Sequence, residues 1–367
     1  MISRLLVTAL AFALLGISSV GRVQAATVGV VFTMSNSSTS NKVLTWSRAG
    51  NGSLAFAGET QTGGTGTGGP LSNQAALALT PDGGWLYAVN PGSNTVSVFR
   101  VNGTSLTRTD VEPTQGKKPV SVAVNGSLVY VLNAGGNGNI RGFRRDTSGN
   151  LTFVNGSARP LSTSRPKPAQ IGFNPQGTRL VVTELRTDRI TSYRVLSNGA
   201  VDPPQWSTSA GAEPFGFEFS SAGILVVSEA GNHVPDGSSA SSYSLGQGAP
   251  AVISAAVPTT ETAACWTAIT PDGRFAYVTN TPDHSISGFA IGGNGALSML
   301  DADGRTAATG GGSFPIDLDT SRDGEFLYVL AAGTHRILVY TINSNGSLSA
   351  RPGVGGLPGA ANGLVAR

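Results

Sequence analysis

The sequence contains little cysteine, little charge and no long hydrophobic run beyond its first 25 residues. Its one cysteine, Cys265, cannot form an intramolecular disulfide, and it rules out a Cys-rich metal site. Only 12% of the 367 residues are charged, the formal net charge is +3, and Lys and Arg are scattered among turns. A nucleic-acid binder normally has a strongly basic domain or patch, so this composition argues against that class. Crossing a bilayer takes about 20 consecutive apolar residues, so no span is expected after residue 25.

The first 25 residues have the features of a secretory signal. Arg4 precedes an apolar stretch over residues 5–17, and the small-residue ending Val23-Gln24-Ala25 resembles a cleavage site. We therefore predict a signal peptide over 1–25 and one domain over 26–367. Cleavage would remove Arg4 and Arg22 and no acid, which lowers the formal charge to +1. We expect an exported protein, periplasmic or extracellular, that works as a monomer without disulfides.

An aromatic residue recurs at regular intervals near the end of a short alternating run. The intervals between these residues are 44 to 53 residues. Self-similarity at a period of roughly 40 to 50 residues is typical of a propeller. The aromatic positions are Trp46, Phe99, Phe143, Tyr193, Tyr243, Phe289 and Tyr340.

Each repeat predicts four antiparallel strands. In the clearest copy a first strand ends at Thr270, the turn Pro271-Asp272-Gly273 follows, and residues 275–280, 285–291 and 296–300 form the other strands. Pro and Gly suit this turn because Pro presets its backbone angle and Gly tolerates positive φ. Such a unit is one propeller blade.

The two ends of the domain are incomplete in complementary ways. Residues 27–60 supply three strands without a first strand, and residues 361–367 resemble a first strand with nothing after it. Pairing them would remove an exposed edge. The sequence therefore predicts an all-β fold, a seven-bladed β-propeller of four-stranded antiparallel blades closed by the C-terminal strand.

Several of these motifs carry a family resemblance. The second strand Tyr277-Val278-Thr279-Asn280 and the TPDG turns, together with Asp188-Arg189-Ile190 at the start of a third strand, resemble the lactonase propeller family. That family includes the propeller 6-phosphogluconolactonases and the carboxymuconate cyclases, and related YVTN repeats occur in surface-layer proteins. The resemblance covers essentially the whole of 26–367 and implies the propeller fold and a small lactone-type substrate.

Two segments compare with the family's functional region. Val227-Ser228-Glu229-Ala230 resembles its V-x-N-E-L segment. Where the family has G-P-R-H, this chain has residues 212–216, AEPFG, so the Arg and His are absent. This departure argues against 6-phosphogluconolactone or carboxymuconate as the substrate.

Strand direction predicts which face carries the functional residues. The ends of second strands and the starts of first strands fall on one face of the disk, where propellers commonly bind ligands near the channel. Lactone chemistry needs a base and groups that stabilise a negative oxygen. We assign the base to Glu229 or Glu184, with His233, Arg186 or Arg189 as partner. The predicted binding residues are Arg186, Asp188, Asn133, Asn280 and Trp266, and Lys118, Lys167, Glu213 and His284 lie on the same face.

Structural roles remain open for the same residues. A polar residue at a strand end often hydrogen-bonds loop backbone, Asp188 and Arg189 could form a simple ion pair, and Cys265 is expected to pack as a small apolar side chain. Three functions stay open: a secreted lactonase-like hydrolase or ring-opening isomerase, a non-catalytic propeller that binds a peptide or carbohydrate, and a cell-envelope protein. We expect no cofactor and no metal ligand set.

Overall fold

A computed structural model describes residues 26–246 and 248–367. The predicted signal peptide, residues 1–25, lies outside the described residues. The described residues form seven separate antiparallel sheets, and their helical content is two short 3-10 turns, Leu185–Thr187 and Gly231–His233. Among these residues no helix is long and apolar enough to cross a membrane.

The seven sheets are numbered here as blades in chain order. Blade 1 contains β1 (Thr27–Met34), β2 (Lys42–Ala49), β3 (Leu54–Gln61) and β30 (Asn362–Ala366). Blade 2 contains β4 (Leu77–Leu79), β5 (Trp85–Asn90), β6 (Thr95–Asn102) and β7 (Ser105–Pro113). Blade 3 contains β8 (Pro119–Asn125), β9 (Leu128–Asn133), β10 (Asn139–Arg145), β11 (Leu151–Phe153) and β12 (Arg159–Pro160). Blade 4 contains β13 (Pro168–Phe173), β14 (Arg179–Glu184), β15 (Arg189–Arg194) and β16 (Gln205–Thr208).

The remaining three blades follow the same order. Blade 5 contains β17 (Pro214–Phe219), β18 (Ile224–Glu229), β19 (Ser239–Ser244) and β20 (Ala251–Pro258). Blade 6 contains β21 (Ala264–Ile269), β22 (Phe275–Asn280), β23 (Ser285–Ile291), β24 (Leu297–Met299) and β25 (Ala307–Ala308). Blade 7 contains β26 (Pro315–Thr320), β27 (Phe326–Ala331), β28 (Arg336–Ile342) and β29 (Leu348–Gly355). In blades 3 and 6 the outermost strand is divided in two, and both pieces pair with the third strand.

The recurring aromatic residue occupies the third strand of every blade. Each of these seven side chains is buried, with 4% exposure or less. The prediction of seven four-stranded antiparallel blades is confirmed. The period is visible in the sequence because every blade needs one large side chain at this position to fill the space against its neighbour.

Tyrosines of the second strands join neighbouring blades. Tyr130 in β9 donates its hydroxyl to Gly199 O of blade 4 at 2.8 Å, and Tyr277 in β22 donates to Gly346 O of blade 7 at 2.8 Å. Burial raises the pKa of both phenols, which stay neutral donors. The hydrophobic core therefore lies between blades and includes specific polar links.

The C-terminal strand closes the ring as predicted. Strand β30 pairs antiparallel with β1, with Phe32 opposite Val365 and Thr33 opposite Leu364. Arg367 O accepts hydrogen bonds from Val30 N at 3.1 Å and Arg48 Nε at 3.1 Å. The first and last strands of the domain thus belong to one sheet.

Strand pairing also places the predicted functional face. Pro168, which starts β13, pairs with Glu184 at the end of β14, and Pro214, which starts β17, pairs with Glu229 at the end of β18. First-strand starts and second-strand ends therefore meet at the same edge of each blade.

Candidate functional site

Residues just before the first strands are held in an unusual backbone conformation. Glu213 and Phe314 have positive φ values of 54° and 43°. This left-handed region is unfavourable for residues other than glycine. A turn in the preceding blade supports each one: Asp188 Oδ1 accepts the N–H of Glu213 at 2.7 Å, and His284 Nδ1 accepts that of Phe314 at 3.3 Å. The turns of one blade thus fix residues of the next blade at the channel face.

A cavity of about 320 Å³ opens on this face. Its walls come from residues before the first strands of blades 2, 4, 6 and 7, from first strands of blades 5 and 6, and from loops that follow second strands. Trp266 is fixed in the wall because its Nε1 donates to Asn73 O at 2.7 Å and its ring lies 4.8 Å from that of Phe215. The lining residues are Ser72, Lys167, Leu185, Phe215, His233, Ala263, Cys265, Trp266, Thr281, Pro282 and Phe314.

A carboxylate and an imidazole meet at the edge of this cavity. His233 Nε2 lies 3.5 Å from Glu213 Oε2. That oxygen is buried and makes no hydrogen bond to any described residue, whereas the His233 side chain is 62% exposed and lines the cavity. The distance exceeds a normal hydrogen bond, but catalytic contacts are often long before substrate binds. A base that faces the cavity, with a carboxylate behind it, is therefore available.

Cys265 lies within the electrostatic reach of the same charges. Burial, together with the Glu213 carboxylate and against a smaller opposing effect of Lys167, raises the pKa of its thiol to about 12. A thiol in this state is protonated at neutral pH, so it is a poor nucleophile. Its position supports the packing role expected from the sequence.

Glu184 is completely buried at the end of β14. Its carboxylate accepts the N–H of Ser162 at 3.0 Å, the hydroxyl of Thr187 at 3.0 Å and the hydroxyl of Thr191 at 2.7 Å. The Ser162 hydroxyl also donates to it. Four donors occupy this carboxylate, and Glu184 is not part of the cavity wall.

Glu229 has an equivalent environment at the end of β18. It is completely buried and accepts the Ser209 hydroxyl at 2.9 Å, the Gly211 N–H at 2.8 Å, the Ser239 hydroxyl at 2.5 Å and the Tyr243 hydroxyl at 3.3 Å. This carboxylate ties the segment that precedes blade 5 to the third strand of that blade. It too is not among the residues that line the cavity.

Asn133 and Asn280 occupy the same structural position in blades 3 and 6. Asn133 Nδ2 donates to Asn139 Oδ1 at 3.0 Å, and Asn280 Nδ2 donates to the hydroxyls of Ser285 and Ser287 at 3.0 and 2.8 Å. Both amides are fully buried within their blades. The polar residue at the end of the second strand thus links that strand to the third.

The two arginines that follow β14 lie in different surroundings, and both are outside the cavity. The guanidinium of Arg189 lies 3.6 Å from the ring of Trp206, and its Nη1 donates to the Ser162 hydroxyl at 3.0 Å. Arg186 is exposed, and neither arginine lines the cavity. Asp188 acts through the backbone of Glu213, so it positions the cavity edge. Of the predicted site residues, the structure brings His233 and Trp266 together in the cavity.

Several cavity residues had only a weak signal in the sequence. The sequence predicts Lys167 and Glu213 on this face as residues before first strands, and it makes no prediction for Phe215, Thr281 and Phe314. A signal was available: in Lys167-Pro168, Glu213-Pro214 and Phe314-Pro315 the proline starts the first strand of a blade, and the residue before it lies at the channel face. This recurring pair marks the residues displayed at the channel face.

A channel-face cavity on a closed seven-bladed ring is an arrangement suited to small ligands. The family described as lactonase, 7-bladed β-propeller, matches residues 30–163 and 156–352. The chain therefore belongs to this lactonase family. No curated protein sequence gives a significant match.

Solved structures support the same fold. A protein from Lactobacillus plantarum superposes with a TM-score of 0.75 and 20% identity, over 93% of this chain and 100% of its own. A Bacteroides fragilis protein assigned as a 6-phosphogluconolactonase superposes with a TM-score of 0.72 and 17% identity, over 92% of this chain and 98% of its own. The periplasmic gluconolactonase of Pseudomonas aeruginosa superposes with a TM-score of 0.70 and 18% identity, over 92% of this chain and 98% of its own. Identities this low establish similarity of fold.

Proposed function

We propose that this protein is an exported hydrolase that opens a small lactone in the channel-face cavity. The observation that carries the proposal is the pair formed by His233 and Glu213, with the imidazole on the cavity wall and the carboxylate 3.5 Å away. Membership of the lactonase family supports the substrate class, and the fold is shared with a gluconolactonase. Export rests on the signal-like residues 1–25 and on the periplasmic location of that similar protein.

The cavity supplies the groups that hydrolysis needs. His233 removes a proton from water, which attacks the lactone carbonyl, while Glu213 stabilises the imidazolium that forms. Lys167 stabilises the negative oxygen of the tetrahedral intermediate. Breaking the ring C–O bond then gives an alkoxide, which takes the proton back from His233. The products are a hydroxy acid and the free enzyme.

In this proposal Glu184 and Glu229 support the site without touching substrate. Each accepts four hydrogen bonds, from its own blade and from the segment that precedes it, so both oxygens of each carboxylate already have donors. Glu229 precedes the turn that carries His233, and Glu184 precedes the turn that carries Asp188. These two carboxylates anchor the turn that carries the proposed base and the turn that carries Asp188, which positions Glu213.

A ring-opening isomerase would use the same cavity differently. His233 would remove a proton from the carbon next to the one that bears the ring oxygen. A C=C bond forms as the ring C–O bond breaks, and the product is an unsaturated acid of unchanged mass. Mass spectrometry separates the two reactions because hydrolysis adds one water. A cavity that binds lactones without converting them would instead identify a binding propeller.

The test is turnover of a panel of γ- and δ-lactones by the wild-type protein and by His233→Ala. His233→Ala removes the general base and should lower kcat/KM at least about 100-fold. Glu213→Gln should lower it by a smaller factor, and Lys167→Met by about 100-fold. His335→Ala is the matched control, because His335 is an exposed histidine in the equivalent turn of blade 7 and does not line the cavity. Equal kcat/KM for wild type and His233→Ala would refute the assigned base, and no turnover of any lactone would refute the enzyme assignment.

A further inference from the structure

We propose that the substrate is an uncharged lactone with an apolar substituent, and that Phe215, Trp266 and Phe314 bind that substituent. This inference rests on the proposed lactone chemistry but concerns the part of the substrate that does not react. Three features of the cavity carry it: an exposed aromatic side chain at its mouth, a rigid aromatic floor, and a small number of positive charges.

The first feature is an aromatic side chain held at the cavity mouth. Phe314 is 47% exposed, although phenylalanine is among the residues that are most often buried. Its backbone has a strained φ of 43°, supported by the hydrogen bond to His284 Nδ1, and the two rings lie 4.9 Å apart. A strained, supported residue with an exposed apolar face at a cavity is placed to contact a ligand.

The second feature is a rigid aromatic floor. Phe215 and Trp266 are buried and lie 4.8 Å apart at an interplanar angle of 57°. The indole N–H is already bonded to Asn73 O, so a ligand meets the apolar part of the ring. Such rings favour hydrocarbon over hydroxyl groups, since a buried hydroxyl without a partner is costly.

Gly216 lets the strand that carries Trp266 pack closely beside Phe215. A Cβ at Gly216 would lie 2.1 Å from Gln74 Oε1 and 2.6 Å from Cys265 O. Gln74 cannot easily move away, because its amide bonds both the N–H and the carbonyl oxygen of Thr267. Any larger residue at position 216 would push these strands apart, so glycine here keeps Phe215 and Trp266 close together.

The third feature is the small number of positive charges. Of the lining residues, Lys167 and His233 can carry a positive charge, and the proposed reaction uses both. A phosphate group is normally held by several charge-assisted donors, often arginines. The cavity lining contains no arginine, and its volume of about 320 Å³ is at the lower end of the range for ligand sites. A compact lactone with a short alkyl or aryl group fits these properties better than a phosphorylated or polyhydroxylated sugar lactone.

The experiment compares δ-valerolactone, its alkyl-substituted homologues from methyl to pentyl, glucono-δ-lactone and its 6-phosphate. We expect kcat/KM to rise about fourfold for each added methylene until the cavity is full. Phe314→Ala should reduce this increase per methylene. The control is Phe56→Ala, which removes another exposed phenylalanine, in the outermost strand of blade 1, and should leave the increase unchanged. A higher kcat/KM for either sugar lactone than for every alkyl lactone would overturn this inference and leave lactone hydrolysis standing.

A second measurement keeps the two proposals separate. Unreactive lactams with the same alkyl series are titrated by calorimetry into the wild-type protein and Phe314→Ala. If no lactone is converted, the hydrolase assignment fails, yet a Kd that falls with chain length in wild type and less so in the variant supports the apolar site. A Kd independent of chain length, or no binding of any lactam, overturns the apolar site whether or not lactones are hydrolysed.

Discussion

At the residue scale, the same amino acid has two kinds of environment on the channel face. The carboxylates of Glu184 and Glu229 are enclosed by hydroxyl and backbone donors, whereas Glu213 keeps one oxygen without a hydrogen bond beside His233. A carboxylate surrounded by donors is stabilised as an anion and serves structure. A carboxylate oxygen that has no hydrogen bond and lies next to an imidazole can stabilise the positive charge that forms when the imidazole takes up a proton.

This difference predicts that Glu229→Gln lowers stability, whereas Glu213→Gln lowers turnover. Glu229→Gln should lower the free energy of unfolding by about 1–3 kcal/mol, because an amide cannot replace all four accepted hydrogen bonds. Urea unfolding measures the loss, and turnover per folded molecule should change little. Glu325→Gln, at an exposed glutamate, is the control and should stay within about 0.5 kcal/mol of wild type. Unaltered stability in Glu229→Gln would argue against the structural role.

At the element scale, β30 has a special role among the strands that the structure describes. It is supplied by the opposite end of the domain from β1, β2 and β3, with which it forms blade 1. Its Leu364 is buried, and its N–H groups at Leu364 and Ala366 bond Asp317 and Asp319 of β26. The strand therefore holds blades 1 and 7 together as well as completing a sheet.

Deleting residues 361–367 should destabilise the whole ring. The change removes the pairing with β1, exposes that strand's edge, and loses the burial of Leu364, which alone is worth about 2 kcal/mol. We expect an unfolding free energy lower by about 3 kcal/mol or more and a lower Tm in calorimetry. A synthetic peptide of residues 359–367 should restore part of the Tm, since a ligand of the folded state stabilises it. An unchanged Tm in the truncated protein would disprove closure by this strand.

At the scale of the whole molecule, the channel gathers acidic groups from separate blades. Glu218 of blade 5 and Asp317 and Asp319 of blade 7 line a cavity of about 150 Å³ between the first strands. Burial and, secondarily, the Asp319 charge raise the pKa of Glu218 to about 8, and burial raises that of Asp319 to about 7. Burial also raises the pKa of Asp317 well above its usual range. The closed ring therefore brings together carboxyl groups that bind protons more tightly in the folded protein than in the unfolded chain.

The folded protein should consequently lose stability as pH rises. A carboxyl group whose pKa is raised by folding contributes stability that is fully present below its unfolded pKa, near 4, and that disappears as pH passes through 7 to 8. Urea unfolding should therefore give a higher free energy at pH 5.5 than at pH 8.5, by about 1 kcal/mol or more. Glu218→Gln should weaken this dependence while keeping the hydrogen bond from Ile269 N, which Glu218 accepts at 2.6 Å. Greater stability at pH 8.5 than at pH 5.5 would contradict the assignment.

The sequence by itself determined the repeat, the number of blades and most strand positions. Strands β22 and β23 begin and end at the predicted residues, 275–280 and 285–291, and the C-terminal strand was located to within one residue at each end. These features depend on local turn chemistry and on one large buried side chain per blade, and both leave a periodic record in the chain. The lactonase family was recognisable for the same reason.

Only the tertiary structure decided which polar residues meet. Glu184 and Glu229 end their strands in the sequence as expected, but their donors Ser162 and Ser209 lie 22 and 20 residues earlier, on segments that fold back from the preceding blade. His233 meets Glu213 because a blade start and the turn after its second strand come together at one edge of the sheet. No local pattern encodes those distances, since they arise from the left-handed residues before the first strands and from the angle between neighbouring blades.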